Sequence, residues 1–191
     1  RPAAAPDMAR PVDLPPSGVR RVRAFPRYPG GGVQAQFTND PATGEPVAVI
    51  TSGVNIIVDG IRNLGSIDVQ TDTLVVWGLS GIGEQNQAED APLELYMEGN
   101  IVFQQGERVI EAQRMYYDVR RKLGIVLAAE LRGPVPNYEG LLKLRADIVR
   151  MLDEQHFVAE NVSLTSSRFG VPGYDIRTGV LTYQDVQQPV I

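Results

Sequence analysis

The residue with the most obvious chemical potential is His156, which closes the run Asp153-Glu154-Gln155-His156. A carboxylate three residues from an imidazole suits an acid–base pair or part of a metal site. It is the single His in the chain, however, and there is no Cys. That excludes multi-His metal sites, zinc fingers, iron–sulfur clusters, thiol nucleophiles and disulfides. A lone His beside a turn reads as a surface residue. The carboxylate pairs Glu94/Glu98 and Asp68/Asp72 are spaced by four, which on a strand puts both members on one face. They read as solvated charge, not as two acids across a cleft. Gly30-Gly31-Gly32 has no following Lys-Ser/Thr, so it reads as a turn and not a phosphate loop. Asn161-Val162-Ser163 matches a glycosylation tripeptide that arises often by chance. Trp77 and Tyr116 have the faces to stack on sugars, but the aromatics are 7% of residues and do not cluster. None of these groups makes a nucleophile–base arrangement, so the expectation is a protein that is not an enzyme and uses no cofactor or metal.

Binding is the alternative to catalysis, and charge narrows it. The chain of 191 residues carries 18 Lys+Arg against 23 Asp+Glu, a net charge of −5. Nucleic-acid binding runs on cationic charge, so no nucleic-acid partner is expected. No apolar run reaches the ~18 residues of a transmembrane helix. Six Arg (1, 10, 20, 21, 23 and 27) against two Asp fall within residues 1–27. The Arg20-Arg21-Val22-Arg23 cluster suits anionic headgroups or an acidic partner. It also suits a solvated edge strand with its Arg side chains in water.

The elements that must position these residues are strands. Residues 1–18 are rich in Pro and Ala and read as a flexible lead-in; residues 19–191 read as one domain. The 19 Gly and 14 Pro point to many turns. Alternating or β-branched runs cover 33–38, 47–51, 54–58, 66–77, 93–104, 109–119, 125–131 and 157–165, separated by turn clusters at 39–44, 105–108 and 120–124. The stretch 78–92 is polar, acidic and Gly-punctuated, and reads as a loop. Residues 141–155 are ambiguous, because Leu141, Leu144, Ile148, Met151 and Leu152 also sit at helical spacing.

An internal repeat resolves that ambiguity toward strand. Four segments share the order apolar, any, small, two any, apolar, any, apolar: 69–76, 110–117, 144–151 and 176–183. Their small residues are Thr71, Ala112, Ala146 and Thr178, spaced by 41, 34 and 32. The three-residue step from small to apolar breaks strict alternation once, which predicts a bulge or corner in each strand. Units of two strands cannot bury their own faces, so stacked units must share one core.

Residues Glu98-Gly99-Asn100-Ile101-Val102-Phe103-Gln104-Gln105-Gly106-Glu107-Arg108-Val109-Ile110-Glu111-Ala112-Gln113-Arg114-Met115-Tyr116-Tyr117-Asp118 resemble the signature of the organic-solvent-tolerance (OstA) domain family. The positions that carry the match are Gly99, Asn100, Ile101, Phe103, Gly106, Ile110, Ala112, Met115, Tyr117 and Asp118. Residues 142–165 resemble a later repeat from the periplasmic part of LptD-type proteins. The resemblance spans roughly 93–185, is weak before 66 and is absent from 1–30. The 78–92 stretch is an insertion relative to it. The resemblance implies an all-β fold, a β-jelly-roll or β-taco of two sheets in a V, with an apolar groove that holds lipopolysaccharide acyl chains. It implies a periplasmic or outer-membrane-associated location and partners of the same jelly-roll type joined through edge strands. Burial of an acyl chain is worth ~0.8 kcal/mol per CH₂, so apolar strand faces suffice. The expected lining is Leu95, Met97, Ile101, Phe103, Ile110, Met115, Ile125, Leu127, Leu144, Phe157, Val162 and Leu164. The same residues would equally fill a closed core. A self-assembling β scaffold and a glycan-binding envelope module are the alternatives to a lipopolysaccharide or similar glycolipid carrier.

Overall fold

A computed structural model describes residues 18–62, 65–79, 85–106, 108–135, 138–153, 155–166 and 174–184. The lead-in expectation for 1–18 lies, apart from Gly18, outside them. The described chain is all strand: β1 (Val19–Pro26), β2 (Ala35–Asn39), β3 (Pro46–Ile50), β4 (Val54–Ile61), β5 (Gly65–Thr71), β6 (Thr73–Trp77), β7 (Gln85–Ala88), β8 (Glu94–Gln105), β9 (Arg108–Asp118), β10 (Leu123–Val135), β11 (Tyr138–Met151), β12 (His156–Thr165) and β13 (Ile176–Gln184). The ambiguous stretch 141–155 is strand as far as Met151, part of β11, with Leu144, Ala146, Val149 and Met151 buried on either side of one break in alternation.

The strands form one antiparallel meander creased along a line. β3 and β4 are two halves of one strand interrupted near Gly53, and β5 and β6 are two halves of another interrupted at Asp72. The run 66–77, expected as one stretch, is therefore broken. β8 pairs with β6 through 94–98 and with β5 through 102–105. From β8 to β13 each strand crosses the crease and pairs with its sequence neighbour. The crease divides the sheet into one leaf containing β2, β3 and β6 and another containing β7, β1, β4 and β5. The leaves fold face to face. Phe103 lies beside Ile110 on β9, seven residues from Tyr117, or ~23 Å on a flat sheet. Yet the Phe103 and Tyr117 ring centroids are 5.1 Å apart. Among the described residues no strand joins β13 to the opposite margin, so the sheet is not closed.

The repeat is this crease written in sequence. Its first apolar position supplies Val69, Ile110, Leu144 and Ile176. Cross-strand register places them in one interior row, Ala24–Ile56–Val69–Phe103–Ile110–Leu131–Leu144–Leu164–Ile176. The later apolar positions form two interior rows on the other leaf: Leu74–Met97–Met115–Val126–Val149–Ala159–Leu181 and Val76–Leu95–Tyr117–Gly124–Met151–Phe157–Tyr183. The three-residue step carries the chain round the bend with both sides facing inward. Gly124 keeps β10 close to β9: a Cβ there would stand 2.5 Å from the Tyr116 carbonyl oxygen.

Specific hydrogen bonds hold the crease. Asp72 N–H donates to Gly99 O and Gly53 N–H to Asp72 O, both at 3.0 Å. Thr71 Oγ1 donates to Glu98 O at 3.1 Å. Asn100 (φ 45°) and Asn161 (φ 53°) adopt left-handed backbone. Their amides donate to the carboxylate that follows the repeat's small residue: Asn100 Nδ2 to Asp72 Oδ2 at 2.7 Å and Asn161 Nδ2 to Asp147 Oδ2 at 2.9 Å. Gly99 is required where it stands, since a Cβ would meet Asp72 Oδ2 at 2.9 Å and its φ is +84°. Asp72 also accepts from Arg27 Nη1 and Tyr28 Oη at 3.1 and 2.9 Å. Asn100, ahead of these other partners, holds the Asp72 carboxyl below its ordinary range. Ala128 (φ 52°) occupies the equivalent left-handed position on β10.

Left-handed backbone costs a Cβ-bearing residue about 1–2 kcal/mol, and Ala128 is exposed. Ala128→Gly is therefore expected to raise stability by about 1 kcal/mol. An unchanged or lower urea midpoint would refute the strain. The lowered Asp72 value gives the second expectation. A depressed folded pKa contributes stability above the unfolded value of about 3.9 and loses it as pH falls through the folded value. Asp72→Asn should narrow the gap between urea midpoints at pH 5 and pH 3; a gap as wide as the parent's would remove Asp72 from the acid limb.

Candidate functional site

The interior between the leaves is solid at one end and uncovered at the other. Leu95, Met97, Ile101, Phe103, Ile110 and Met115 are at most 1% exposed, each enclosed by neighbouring rows. These six expected groove residues are packed core. Toward the last strands the cover thins. Leu144, Phe157 and Val162 are still buried, and Leu164 and Leu181 are partly exposed while packing on the core. Ile176 is 64% and Tyr183 39% exposed, although both end interior rows. At the opposite margin β2 leaves Phe37 49% exposed. Of the twelve expected lining residues, ten face the interior. Ile125 and Leu127 do not. Gly124 and Val126 take the interior positions on β10, so alternation turns Ile125 and Leu127 to the outer face, where Ile125 is 36% exposed. The residues that complete the uncovered end are Leu131, Ile176, Leu181 and Tyr183. Ile176 is visible in the sequence as the first position of the fourth repeat, and Leu181 and Tyr183 as its later positions.

At the other end the β1 margin is tied down. The stretch 78–92 is not only loop: β7 returns from it to pair with β1. A four-residue polar strand gives no alternation to read, so its pairing is decided by the edge it meets. β1 accordingly pairs with β7 along 19–22 and with β4 along 21–26, and Arg20 is 1% exposed. This corrects the expectation of a solvated edge with all its Arg side chains in water. Arg20 faces inward because Val22, two residues on, does. Its Nη2 donates to Gln87 Oε1 at 2.7 Å and to Ala91 O at 3.0 Å, and Nη1 donates to Glu89 O at 3.4 Å. Burial brings its pKa down to about 10, against the opposing pull of Asp118, Asp90 and Glu89. On the outer face Arg23 pairs with the buried Asp59 at 2.6 Å. The rims also touch: Lys122 Nζ donates to Arg62 O at 2.7 Å, and Arg62 Nη2 reaches Glu89 Oε2 at 3.3 Å.

A second rim contact lies at the uncovered end. Arg108 continues the interior row Val22–Val58–Ile67–Gln105–Arg108. Its guanidinium crosses to the other leaf, 4.8 Å from the Phe157 ring centroid. Phe157 in turn packs on Tyr183, with centroids 6.2 Å apart. Neither Arg108 nor Tyr183 is among the expected site residues: a charged residue carries no core signal, and Tyr183 is marked only by its place in the fourth repeat.

The groups considered for catalysis remain apart. His156 and Asp153 meet at 2.8 Å in an exposed turn, and among the described residues no three His, Cys, Asp or Glu form a metal-binding group. Glu94 and Glu98 lie on the outer face. Glu94 accepts from Tyr116 Oη at 2.6 Å and Glu98 Oε1 from Arg114 Nε at 3.2 Å. Burial, ahead of Glu94, raises the Tyr116 pKa. No helix among the described residues is long and apolar enough to cross a membrane. No family model matches the chain, and no curated protein matches it.

Arg20 gives the prediction for this region. Arg20→Met keeps the aliphatic stem but strands three acceptors, which should cost about 2–3 kcal/mol. Amides 86–88 should then exchange with deuterium faster than in the parent, with β11 amides changed less. Equal protection at 86–88 would show that the guanidinium does not hold β7.

Proposed function

We propose that the domain holds the acyl chains of lipopolysaccharide or a similar glycolipid at the β12–β13 end of its interior, as a carrier module of the bacterial cell envelope on the path to the outer membrane. The observation that carries this reading is the interior row that ends uncovered. Leu144, Leu164 and Ile176 on one leaf face Met151, Phe157, Leu181 and Tyr183 on the other, with burial declining toward β13. An acyl chain laid there extends the core that the last strand leaves unfinished. No reacting group is needed, which fits a module without catalytic activity. The OstA-like run from Glu98 to Asp118 supports the same reading. Gly99 and Asn100 form the crease, Ile101, Phe103, Ile110 and Met115 the core behind the uncovered end, and Asp118 the turn after β9, where it accepts from Arg121 N–H at 2.9 Å.

β13 also bears on partners. It is nine residues long, carries no Pro or Lys, and pairs only with β12 among the described residues. Long edges without such protection accept another strand. A jelly-roll domain of similar kind docked there would continue the interior rows across the joint. A self-assembling scaffold is the second reading that the same edge favours. It predicts growth of the oligomer with protein concentration in light scattering without added lipid.

The deciding experiment is native mass spectrometry of the lipid-stripped protein with added lipopolysaccharide, beside Ile176→Asp. Ile176 is exposed, so the variant should melt with the parent. Loss of its burial against a ligand, worth about 1.5–3 kcal/mol, should weaken binding at least about tenfold. A parent that takes up no lipopolysaccharide sinks the carrier reading; full binding by Ile176→Asp moves the chains elsewhere.

A further inference from the structure

The outer face of the leaf that contains β6 gathers aromatic side chains around a carboxylate. Alternation sets them there. Val76, Leu95 and Tyr117 take interior positions, so Trp77, Tyr96 and Tyr116 point outward. They are far apart in the chain and meet because β8 pairs with both β6 and β9. All three are half-buried. Glu94 is the centre of the group. It lies opposite Trp77, two residues from Tyr96, and accepts from Tyr116 Oη at 2.6 Å. We infer that this face binds a neutral glycan, whose sugar rings lie on the aromatic faces and whose hydroxyls donate to Glu94 and Glu98. The site is on the side of the sheet away from the interior, so it stands or falls apart from the acyl-chain reading.

Tyr96 and Tyr116 stand opposite one another in register. Cross-strand aromatic pairs often serve only to stabilise a sheet, but the hydroxyls here set a different arrangement. Tyr96 Oη donates to Glu98 Oε2 at 3.3 Å, toward the end of β8, and Tyr116 Oη donates to Glu94, at its start. The two rings therefore lean apart. Same-face neighbours on a strand are about 7 Å apart, so a hydroxyl that meets such a neighbour belongs to a ring laid along the sheet. A ring so laid shows one face to solvent. That face carries the negative side of the aromatic quadrupole, which suits the C–H groups of a sugar ring. Trp77 is tethered as well, its indole hydrogen-bonded to the Asp40 side chain. The aromatics span three adjacent strands, about 10 Å across, which suits a chain of sugars. Each carboxylate oxygen accepts through two lone pairs. Glu94 and Glu98 can thus hold Tyr116, Tyr96 and Arg114 Nε, the last at 3.2 Å, and still take sugar hydroxyls in charge-assisted bonds. Glu94, Glu98 and Asp40 outnumber Arg114, while Asp118 and Arg121 pair with each other. A face with this excess of carboxylates repels acidic sugars.

Trp77 is the chain's one tryptophan, so its emission reports this face directly. The neutral probes are cellohexaose, N-acetylchitohexaose, maltohexaose and mannohexaose, with hexagalacturonate as the acidic control, each titrated into the full chain. At least one neutral hexasaccharide is expected to change Trp77 emission saturably, with a Kd of about 1 mM or tighter. Hexagalacturonate should bind at least about tenfold more weakly at low salt, with the margin shrinking as salt rises. Tyr96→Leu and Tyr116→Leu should each weaken the neutral glycan about tenfold while melting near the parent. Glu94→Gln keeps the shape and removes the charge, so it should weaken the neutral glycan and narrow the discrimination against hexagalacturonate. The inference is overturned if no neutral hexasaccharide gives a saturable change, or if hexagalacturonate binds as tightly as the best of them. Full binding by folded Tyr96→Leu and Tyr116→Leu overturns it too. The first two outcomes need only the parent, so a variant that folds poorly would not shield the inference.

Discussion

The crease is the constraint on which everything else depends. A β-strand alternates its side chains between two faces, and a sheet folded on itself must make one face entirely interior. Rounding the bend without burying polar groups requires each strand to break alternation once, at the same level as its neighbours. The step from Thr71 to Leu74, from Ala112 to Met115, from Ala146 to Val149 and from Thr178 to Leu181 is that break. Small residues sit at the bend because the two leaves converge there. The intervening strands meet the requirement differently, with left-handed backbone at Asn100, Ala128 and Asn161. Asn is well suited to this conformation, and two of the three also clasp the neighbouring strand's aspartate.

Once the crease exists, the interior rows are fixed, and so is the gradient along them. Strands in the middle of the meander have neighbours on both sides and a leaf above, and their interior residues are sealed. Among the described residues β13 pairs with one neighbour, and Ile176 and Tyr183 on its interior rows are exposed. The first strand would share that fate, but β7 crosses to it and Arg20 binds the crossing segment through carbonyls and an amide. Among the described residues β7 therefore ties the β1 margin, while apolar side chains meet solvent at β13 and at Phe37 on β2.

Much of this is legible in the sequence. The absence of Cys and the single His are enough to exclude most metal and thiol chemistry. The repeat carries the strand class of 144–151, the bend, and the membership of three interior rows, because a folded sheet imposes its geometry on every strand that crosses it. Ten of the twelve expected lining residues face inward for the same reason. Ile125 and Leu127 face outward because β10 belongs to the strands that carry no copy of the repeat; there, two apolar residues flanking Val126 look the same as two inward ones. The Arg20–Arg23 cluster defeats a reading by charge, because charge predicts solvent only when nothing folds over it.

The sequence by itself determined the class of the fold, the place of the bend and which residues share a row. All three are local: they follow from the two-residue period of a strand and one interruption repeated at regular intervals. Only the tertiary structure decided which rows are sealed and which are open, that β7 closes one end, and that Arg108 reaches Phe157 across the mouth. Those depend on contacts between residues far apart in the chain, Arg20 with Gln87 and Arg108 with Phe157. No periodicity records such contacts, because each is made by a single side chain meeting whatever the folding of the leaves brings opposite it.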